Sequence, residues 1–231
     1  MRARTLLAWS SGKDSAFSLH VLRQQGDVDV VGLLTTVSTA YDRVAMHAVR
    51  TTLLEAQAAA VGLPLRLVPI PSPCSNAEYE TAMGRAMEDA RRDGIEAVAF
   101  GDLFLEDIRR YREERLASTG LRPIFPLWAR PTKELAEAMI SSGLRATLTC
   151  VDPKKLERSF AGREFDRALL RSLPSGVDPC GENGEFHSFA WDGPMFHQPV
   201  SIRAGEVVER DGFVFADRLP ASPEGAEAPR A

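Results

Sequence analysis

Apolar residues in this chain gather into short strand-length runs, separated by polar turns and by longer stretches with apolar residues at helical spacing. Arg4–Trp9 is the first run, and Ala16–Arg23 after it carries the helical pattern. Asp29–Thr36 is almost wholly apolar, as a parallel strand buried on both faces requires. A polar segment, Val37–Val44, leads to a predicted helix over 46–61, closed by Gly62 and Pro64. Leu65–Ile70 reads as the third strand. Ser75 and Glu78 form a capping box that opens a helix to about Arg92. Ile95–Phe100 is the fourth strand, Leu105–Ser118 a helix and Pro123–Phe125 a short fifth strand.

Strand and helix alternating this regularly predict βαβ units. The fold class is α/β: a doubly wound, Rossmann-like parallel sheet of five strands with a smaller α+β domain behind it. In such sheets ligands bind beyond the carboxyl ends of the strands. The turns at Ser10–Ser15, Thr35-Thr36 and Gly101-Asp102 should therefore face one crevice. From about Leu127 the rhythm changes. A helix from Pro131 to Ser142, a strand over Leu144–Val151, a helix over Arg163–Leu173 and strands over Phe186–Trp191, Val200–Val208 and Gly212–Asp217 are expected. Asp211-Gly212 is a hairpin signal. The expected division is residues 1–126, 127–218 and a disordered tail at 219–231, which is Pro, Ala, Glu and Ser without periodicity.

Composition narrows the function. With 44% hydrophobic and 26% charged residues the chain is ordinary for a globular protein. A net charge of −4 argues against an electrostatic grip on nucleic acid. Cys74, Cys150 and Cys180 form no C-x-x-C, so no zinc or iron–sulfur site is expected. An odd number of thiols, three, without a signal peptide fits a reducing cytosol and a cytoplasmic location. No apolar run is long enough to span a membrane. Abundant Ala and Arg fit a GC-rich, bacterial source.

The chemistry concentrates at Ser10-Ser11-Gly12-Lys13-Asp14-Ser15. A strand, a tight polar turn and a helix aim backbone N–H groups at an anion, and the helix N-terminus adds about half a positive charge. Gly12 allows close approach, the serines add hydroxyls and Lys13 adds a cation. Capping of the helix by Ser10 or Ser11 is the simpler reading. The loop is not a Walker A motif, because Leu7 stands where the first glycine belongs and Asp14 follows Gly12-Lys13. A carboxylate beside phosphates calls for a cation between them, so Asp14 is the expected Mg²⁺ ligand.

Further along, Asp102 at a strand end is a nucleotide or metal candidate, whereas Glu106 and Asp107 suit a helix first turn. Arg109–Arg115 reads as a solvated face with i,i+4 ion pairs. Asp178-Pro179-Cys180-Gly181-Glu182-Asn183-Gly184-Glu185 packs glycine and acid more densely than a plain turn needs. Glu182 and Glu185 are candidates to orient a nucleophile or take a proton. Cys180 is expected to be a packed thiol. His47, at a helix start after the second strand, is a candidate nucleotide contact.

Ser10–Ser15 resembles the PP-loop, Ser-Gly-Gly-x-Asp-Ser, of the N-type ATP pyrophosphatases, with Ser11 where glycine is usual. Together with Leu34-Thr35-Thr36, Phe100-Gly101-Asp102 and Gly181–Phe186, it makes the chain, over roughly residues 4–217, similar to the diphthine–ammonia ligase family. The resemblance implies a HUP-type domain that binds ATP with Mg²⁺. A substrate carboxylate would attack the α-phosphate, pyrophosphate would leave, and ammonia would displace AMP to give an amide. It places Ser10, Ser11, Gly12, Lys13, Asp14 and Ser15 on pyrophosphate. Thr35 would lie near the adenosine, beside His47, Gly101 and Asp102, which are nucleotide candidates on their position in the chain, and Gly181, Glu182, Asn183, Gly184 and Glu185 would lie at the acceptor. Lys13, Asp14, Glu182 and Glu185 are the expected catalytic residues. The implied partners are a small-molecule or protein carboxylate and an ammonia or amine donor, with a homodimer as the assembly. Asn183 stands where the family has glycine, and His187 where its eukaryotic and archaeal members often have Glu. Both departures fall at the acceptor, and a bacterial chain would lack the elongation factor 2 histidine on which diphthamide is made. The competing readings are a tRNA-modifying PP-loop enzyme, which the acidic charge and missing C-x-x-C weaken, and a non-catalytic nucleotide-binding regulatory protein.

Overall fold

The computed structural model describes residues 1–40, 43–44 and 49–221. Its first half alternates as the pattern predicts: β1 (Ala3–Ala8), α1 (Lys13–Gln25), β2 (Val28–Ser38), β3 (Arg43–Val44), α2 (Thr51–Val61), β4 (Leu65–Ile70), α3 (Asn76–Arg92), β5 (Ala97–Ala99), α4 (Glu106–Ala117) and β6 (Arg122–Ile124). Five of these strands form a parallel sheet in the order β4-β2-β1-β5-β6. The segment expected to be merely polar instead folds back: β2 runs on to Ser38, where Val37 and Ser38 pair antiparallel with Val44 and Arg43 of β3.

Apolar runs in β1, β2 and β5 serve both faces of the sheet. Leu7, Leu33 and Ala99 point into one core with α1 and α2. Leu6, Leu34 and Val98 point into the other, where Met87 and Ala90 of α3 and Leu116 of α4 meet them. Gly26 and Gly62 end α1 and α2 at φ 68° and 70°, the left-handed conformation that glycine adopts without a Cβ penalty. Ser75 and Glu78 make the expected capping box at α3. Chain order reverses between β1 and β5, so the loops after these two strands flank the switch point.

The second half contains α5 (Thr132–Ser141), β7 (Arg145–Val151), α6 (Arg167–Ser172), β8 (Phe186–Asp192), β9 (Ile202–Arg210) and β10 (Phe213–Pro220). Its four strands form an antiparallel sheet in the order β8-β7-β10-β9. Asp211 and Gly212 both take positive φ between β9 and β10, as a two-residue hairpin requires. Two expectations shift. The helix read over Arg163–Leu173 begins only at Arg167, because Asp166 caps it by accepting from Leu169 N at 2.7 Å. The strand read as ending at Asp217 continues, and Leu219 and Pro220, expected in the tail, pair with Arg203 and Ile202. Ala221 N also donates to Ser201 O at 3.0 Å, and the rest of that tail, 222–231, lies outside the described residues.

The core under α1 and α2 is continuous with the core of the second half: Leu7, Phe17 and Leu54 belong to the same buried cluster as Leu135, Phe189 and Val214. The second sheet is thereby pressed against the layer formed by α1 and α2. Gln57 of α2 is the polar tie. Its side chain accepts from Trp9 Nε1 at 2.9 Å and donates to the carbonyls of Ser11 (2.9 Å) and Ala190. Ala190 N in turn donates to Ser11 O at 2.9 Å, so β8 docks directly on the opening loop.

Candidate active site

Where the two halves meet, a cleft of about 1020 Å³ opens above the carboxyl ends of the parallel strands. Its walls include Ser10, Lys13, Asp14, Ser15 and Thr35 on one side and Gly181, Glu182, Gly184 and His187 on the other. Segments about 170 residues apart in sequence thus share one space.

The opening loop is built from backbone rather than from capping side chains. Neither Ser10 nor Ser11 caps α1; the N-cap is Gly12, with extended backbone and no side-chain cap. The N–H of Lys13 is taken from outside, by Ser188 Oγ of β8 at 3.2 Å. Ser10 Oγ lies 3.2 Å from Ser15 Oγ and accepts from Gly12 N at 3.3 Å, which curls the loop around the helix start. Ser11 takes φ 69°, is fully buried and does not line the cleft. Its carbonyl, rather than its hydroxyl, does the joining. Gly12 is not among the lining residues either.

Lys13 is the least expected placement. Its side chain is 2% exposed. Nζ donates to both carboxylate oxygens of Asp14, at 2.8 and 3.0 Å, and to the carbonyl of Cys180. It also lies 5.5 and 5.4 Å from the ring centres of Phe165 and Phe186, within cation–π range. Burial works against the Lys13 charge, but Asp14 and, more weakly, Glu182 outweigh it and raise its pKa above the ordinary lysine value. Burial pushes the Asp14 carboxyl up, and Lys13 opposes that shift without cancelling it. A quarter of the Asp14 side chain stays open to the cleft.

Glu182 crosses between the halves. Its Oε1 accepts from Leu103 N, in the loop after β5, at 2.8 Å. Burial raises its pKa to about 7; the Leu103 hydrogen bond and Lys13 counteract part of this, and the Asp14 and Asp102 charges add to it. A carboxyl group poised there exchanges protons at physiological pH. Gly101 and Gly181 are needed for close packing. A Cβ on Gly101 would stand 3.1 Å from the backbone of Asp14, and one on Gly181, at φ 72°, would meet Phe186 O at 2.9 Å.

Other expected site residues divide. Thr35 lines the cleft, with its hydroxyl donated to Trp9 O at 2.7 Å. Asp102 lines it too, but its carboxylate accepts from Arg112 Nε at 3.0 Å. Glu185 turns inward: it is 3% exposed, absent from the cleft wall, and its Oε1 accepts from Asp178 N (3.0 Å) and Asn183 Nδ2 (3.2 Å). Asn183 is likewise off the wall and its carbonyl accepts from Lys155 Nζ at 2.6 Å. These placements correct the expectation that all five residues of Gly181–Glu185 face the acceptor. His47 lies outside the described residues. Cys180 is buried, donates to Thr132 O at 3.4 Å, and burial pushes its thiol far above the ordinary range, so it is a packed thiol as expected.

Three residues on or beside the cleft were not singled out by sequence. Arg112 leaves the solvated face assigned to Arg109–Arg115 and stacks 4.6 Å from the Phe100 ring centre on the cleft wall. Ser188 follows the acidic loop by three residues with no motif to mark it. Gln57 had a signal: it is a polar residue on the face of α2 that also carries Leu53, Leu54 and Val61. His187 lines the cleft, where burial first and Lys13 second lower it to about 4, leaving it neutral at physiological pH.

Among the described residues no group of three or more His, Cys, Asp and Glu side chains could hold a metal by itself. Asp14 fits a magnesium ion only as one ligand, the rest coming from phosphate oxygens and water. Also among the described residues, no helix is long and apolar enough to cross a membrane.

Comparison with known proteins matches both halves of the chain to one family. Residues 3–123 match the family model for the diphthamide synthase N-terminal domain, and residues 131–218 match that for the diphthamide synthase C-terminal domain. Curated relatives named diphthine–ammonia ligase include one from Danio rerio, 31% identical over 90% of this chain and 89% of its own length. Those from Bos taurus and Homo sapiens are 29% and 28% identical over 94% of this chain and 88% of theirs. With both halves matched in order and the relatives aligned nearly end to end, this chain belongs to the diphthamide synthase, or diphthine–ammonia ligase, family.

Proposed function

We propose that the protein is an ATP-dependent, amide-forming ligase that activates a carboxylate as its adenylate. The observation that carries this reading is the meeting of a helix N-terminus whose N-cap residue has no capping side chain with a proton-exchanging carboxyl, Glu182, in one cleft. The first suits departing phosphates; the second suits an attacking amine.

In the first step the acceptor carboxylate attacks the α-phosphorus of ATP and the bond to the β-phosphate bridging oxygen breaks. The leaving pyrophosphate carries the charge that develops. The N-terminus of α1 and the Lys13 ammonium, whose donors are held by Asp14 and the Cys180 carbonyl, are fixed before reaction and stabilise that charge through space, with the Ser10 hydroxyl beside them. Asp14 would hold magnesium, which when bound neutralises phosphate charge. In the second step ammonia attacks the acyl carbon, AMP leaves, and Glu182 accepts the proton released by the nitrogen. Thr35, Gly101 and Asp102 shape the nucleotide end. Of the two departures from the family pattern, Asn183 is off the cleft wall and His187 lines it, so His187 is the one that supports an acceptor other than diphthine. Lys13 and Asp14 are the pair on which pyrophosphate departure depends.

The test is pyrophosphate release from ATP with ammonium and a pool of small carboxylates, for the native chain and for Asp14→Asn. Asparagine keeps an acceptor for the buried Lys13 while removing the charge. Acceptor-dependent pyrophosphate release, falling by about 100-fold or more in a folded variant, is expected. Full activity in Asp14→Asn, or ATP bound without any turnover, would falsify the proposal.

A further inference from the structure

A second cavity, of about 220 Å³, lies between the N-terminus of α2 and the face of β7, β10 and β9. Its described walls carry four arginines, Arg43, Arg50, Arg210 and Arg218, against two carboxylates, Glu206 and Asp217. We propose that this cavity binds an oxyanion, a carboxylate or a phosphate, carried by the acceptor in addition to the carboxylate that is activated. The assignment to the acceptor rests on the ligase reading above; the anion site itself does not.

Three independent features point to an anion. Asp217 neutralises part of the charge, accepting from Arg43 at 3.2 Å and from Arg50 at 2.6 Å. Arg218 has no such carboxylate contact among the described residues. Arg218 as a residue is 9% exposed, and its guanidinium donates to Thr147 Oγ1 (3.1 Å), Asp217 O (3.2 Å) and Gly162 O (2.7 Å), all neutral acceptors. Burial works against this charge, and the nearby Asp217 and Glu164 carboxylates offset only part of that, so the buried cation has room for a further anion. Thr149, 5% exposed, belongs to the cavity wall, and its hydroxyl is buried with no hydrogen-bond partner among the described residues. A satisfied core leaves few such groups. Finally, α2 begins at this wall with Arg50 as N-cap, no capping bond from the Arg50 side chain and no acidic residue in its first turn, so among the described residues its positive end has no capping partner.

The position of the cavity ties it to the reaction cleft. Arg43, Arg210 and Phe215 line both. An acceptor with its reacting carboxylate near Glu182 and a second oxyanion against Arg50 and Arg218 would span the shared wall. The substrate class this selects is a dicarboxylate or a phosphorylated carboxylic acid.

Calorimetric titration of the full chain with sodium glutarate, inorganic phosphate and butyrate, and separately with ATP, tests the site. Glutarate or phosphate should bind well above butyrate, the tighter of the two naming the oxyanion. Thr149→Val, which removes no existing hydrogen bond, should weaken that binding about fivefold, and Arg50→Gln about tenfold, with ATP affinity kept within about twofold. Binding unchanged in both folded variants, or displaced by ATP, overturns the site. A chain that binds ATP but neither anion also overturns it. A chain that binds the anion but not ATP overturns the ligase reading and with it the assignment to an acceptor.

Discussion

The opening loop and the acidic loop at Asp178–Glu185 face each other across the cleft and are held in opposite ways. The opening loop leaves polar groups unused: α1 starts without a capping side chain, and Ser11 keeps a buried hydroxyl with no partner among the described residues. The acidic loop consumes its own. Asp178 Oδ2 accepts from Cys180 N and Glu182 N, both at 3.0 Å, while Glu185 accepts from Asp178 N and Asn183 Nδ2. Of its two glutamates only Glu182 is left for the cleft. Two carboxylates three residues apart therefore do two jobs, one bracing the turn and one facing substrate.

The largest effect expected from breaking that division is at Glu182. Glu182→Gln keeps an acceptor for Leu103 N but cannot take a proton, and should lower amide formation by about 100-fold or more. In the native chain the rate should climb as pH rises through about 7, where Glu182 ionises. Stability should move the other way. The folded-state pKa of Glu182 is raised above the ordinary 4.5, so its contribution is fully present below that value and is lost as pH rises through about 7. The variant should consequently melt higher than the native chain at pH 8, with the gain vanishing towards pH 4.5. Glu185→Ala should do the reverse, losing stability first. Equal activity losses in both variants at unchanged melting temperature would erase the distinction.

Gln57 tests whether the halves communicate through the loop. Gln57→Ala strands the Trp9 indole N–H and removes one donor each from Ser11 O and Ala190 O. Leaving buried groups unsatisfied and opening a cavity should cost about 2–4 kcal/mol. Denaturant unfolding measures that loss, and ATP titration should show weaker binding, because Ser11 carries the turn. A loss below about 1 kcal/mol would mean that apolar packing alone joins the two sheets.

Much of this could be read from sequence because it is local. Near-continuous apolar runs and period-3.6 patterns marked the parallel strands and their helices, Gly62 marked a helix end, and Ser75 with Glu78 marked a beginning. The cleft was readable too, since the turns after β1 and β5 must open on one edge of a parallel sheet, although Thr35 and Thr36 reach it from within β2 rather than from a turn. Long-range consequences were not. Nothing adjacent to Lys13 announces that Cys180 O, Phe165 and Phe186 will enclose its ammonium. Asp102 looks free at a strand end until Arg112, ten residues on, reaches back to it. Glu182 and Glu185 are chemically identical in sequence, and only the fold of their own loop assigns them different roles.

The finest test of the contrast between the loops is Ser11, where this chain carries a side chain at a left-handed residue, φ 69°. For a residue with a Cβ that conformation costs about 1–2 kcal/mol relative to the right-handed one. Ser11→Gly removes this strain and also the buried hydroxyl without a partner. Against it stands the greater freedom of glycine in the unfolded chain, about 0.5–1 kcal/mol. The net gain should be about 0.5–1 kcal/mol by denaturant unfolding, since the left-handed penalty outweighs that loss of chain freedom. Ser11→Ala separates the two contributions: it keeps the strain and removes only the hydroxyl. If alanine stabilises as much as glycine, the unsatisfied hydroxyl is the defect. If alanine is neutral and glycine stabilises, the turn itself is strained, held by the bonds that Gln57 and Ala190 make to its carbonyl. ATP affinity should be unchanged in both, because Ser11 does not line the cleft.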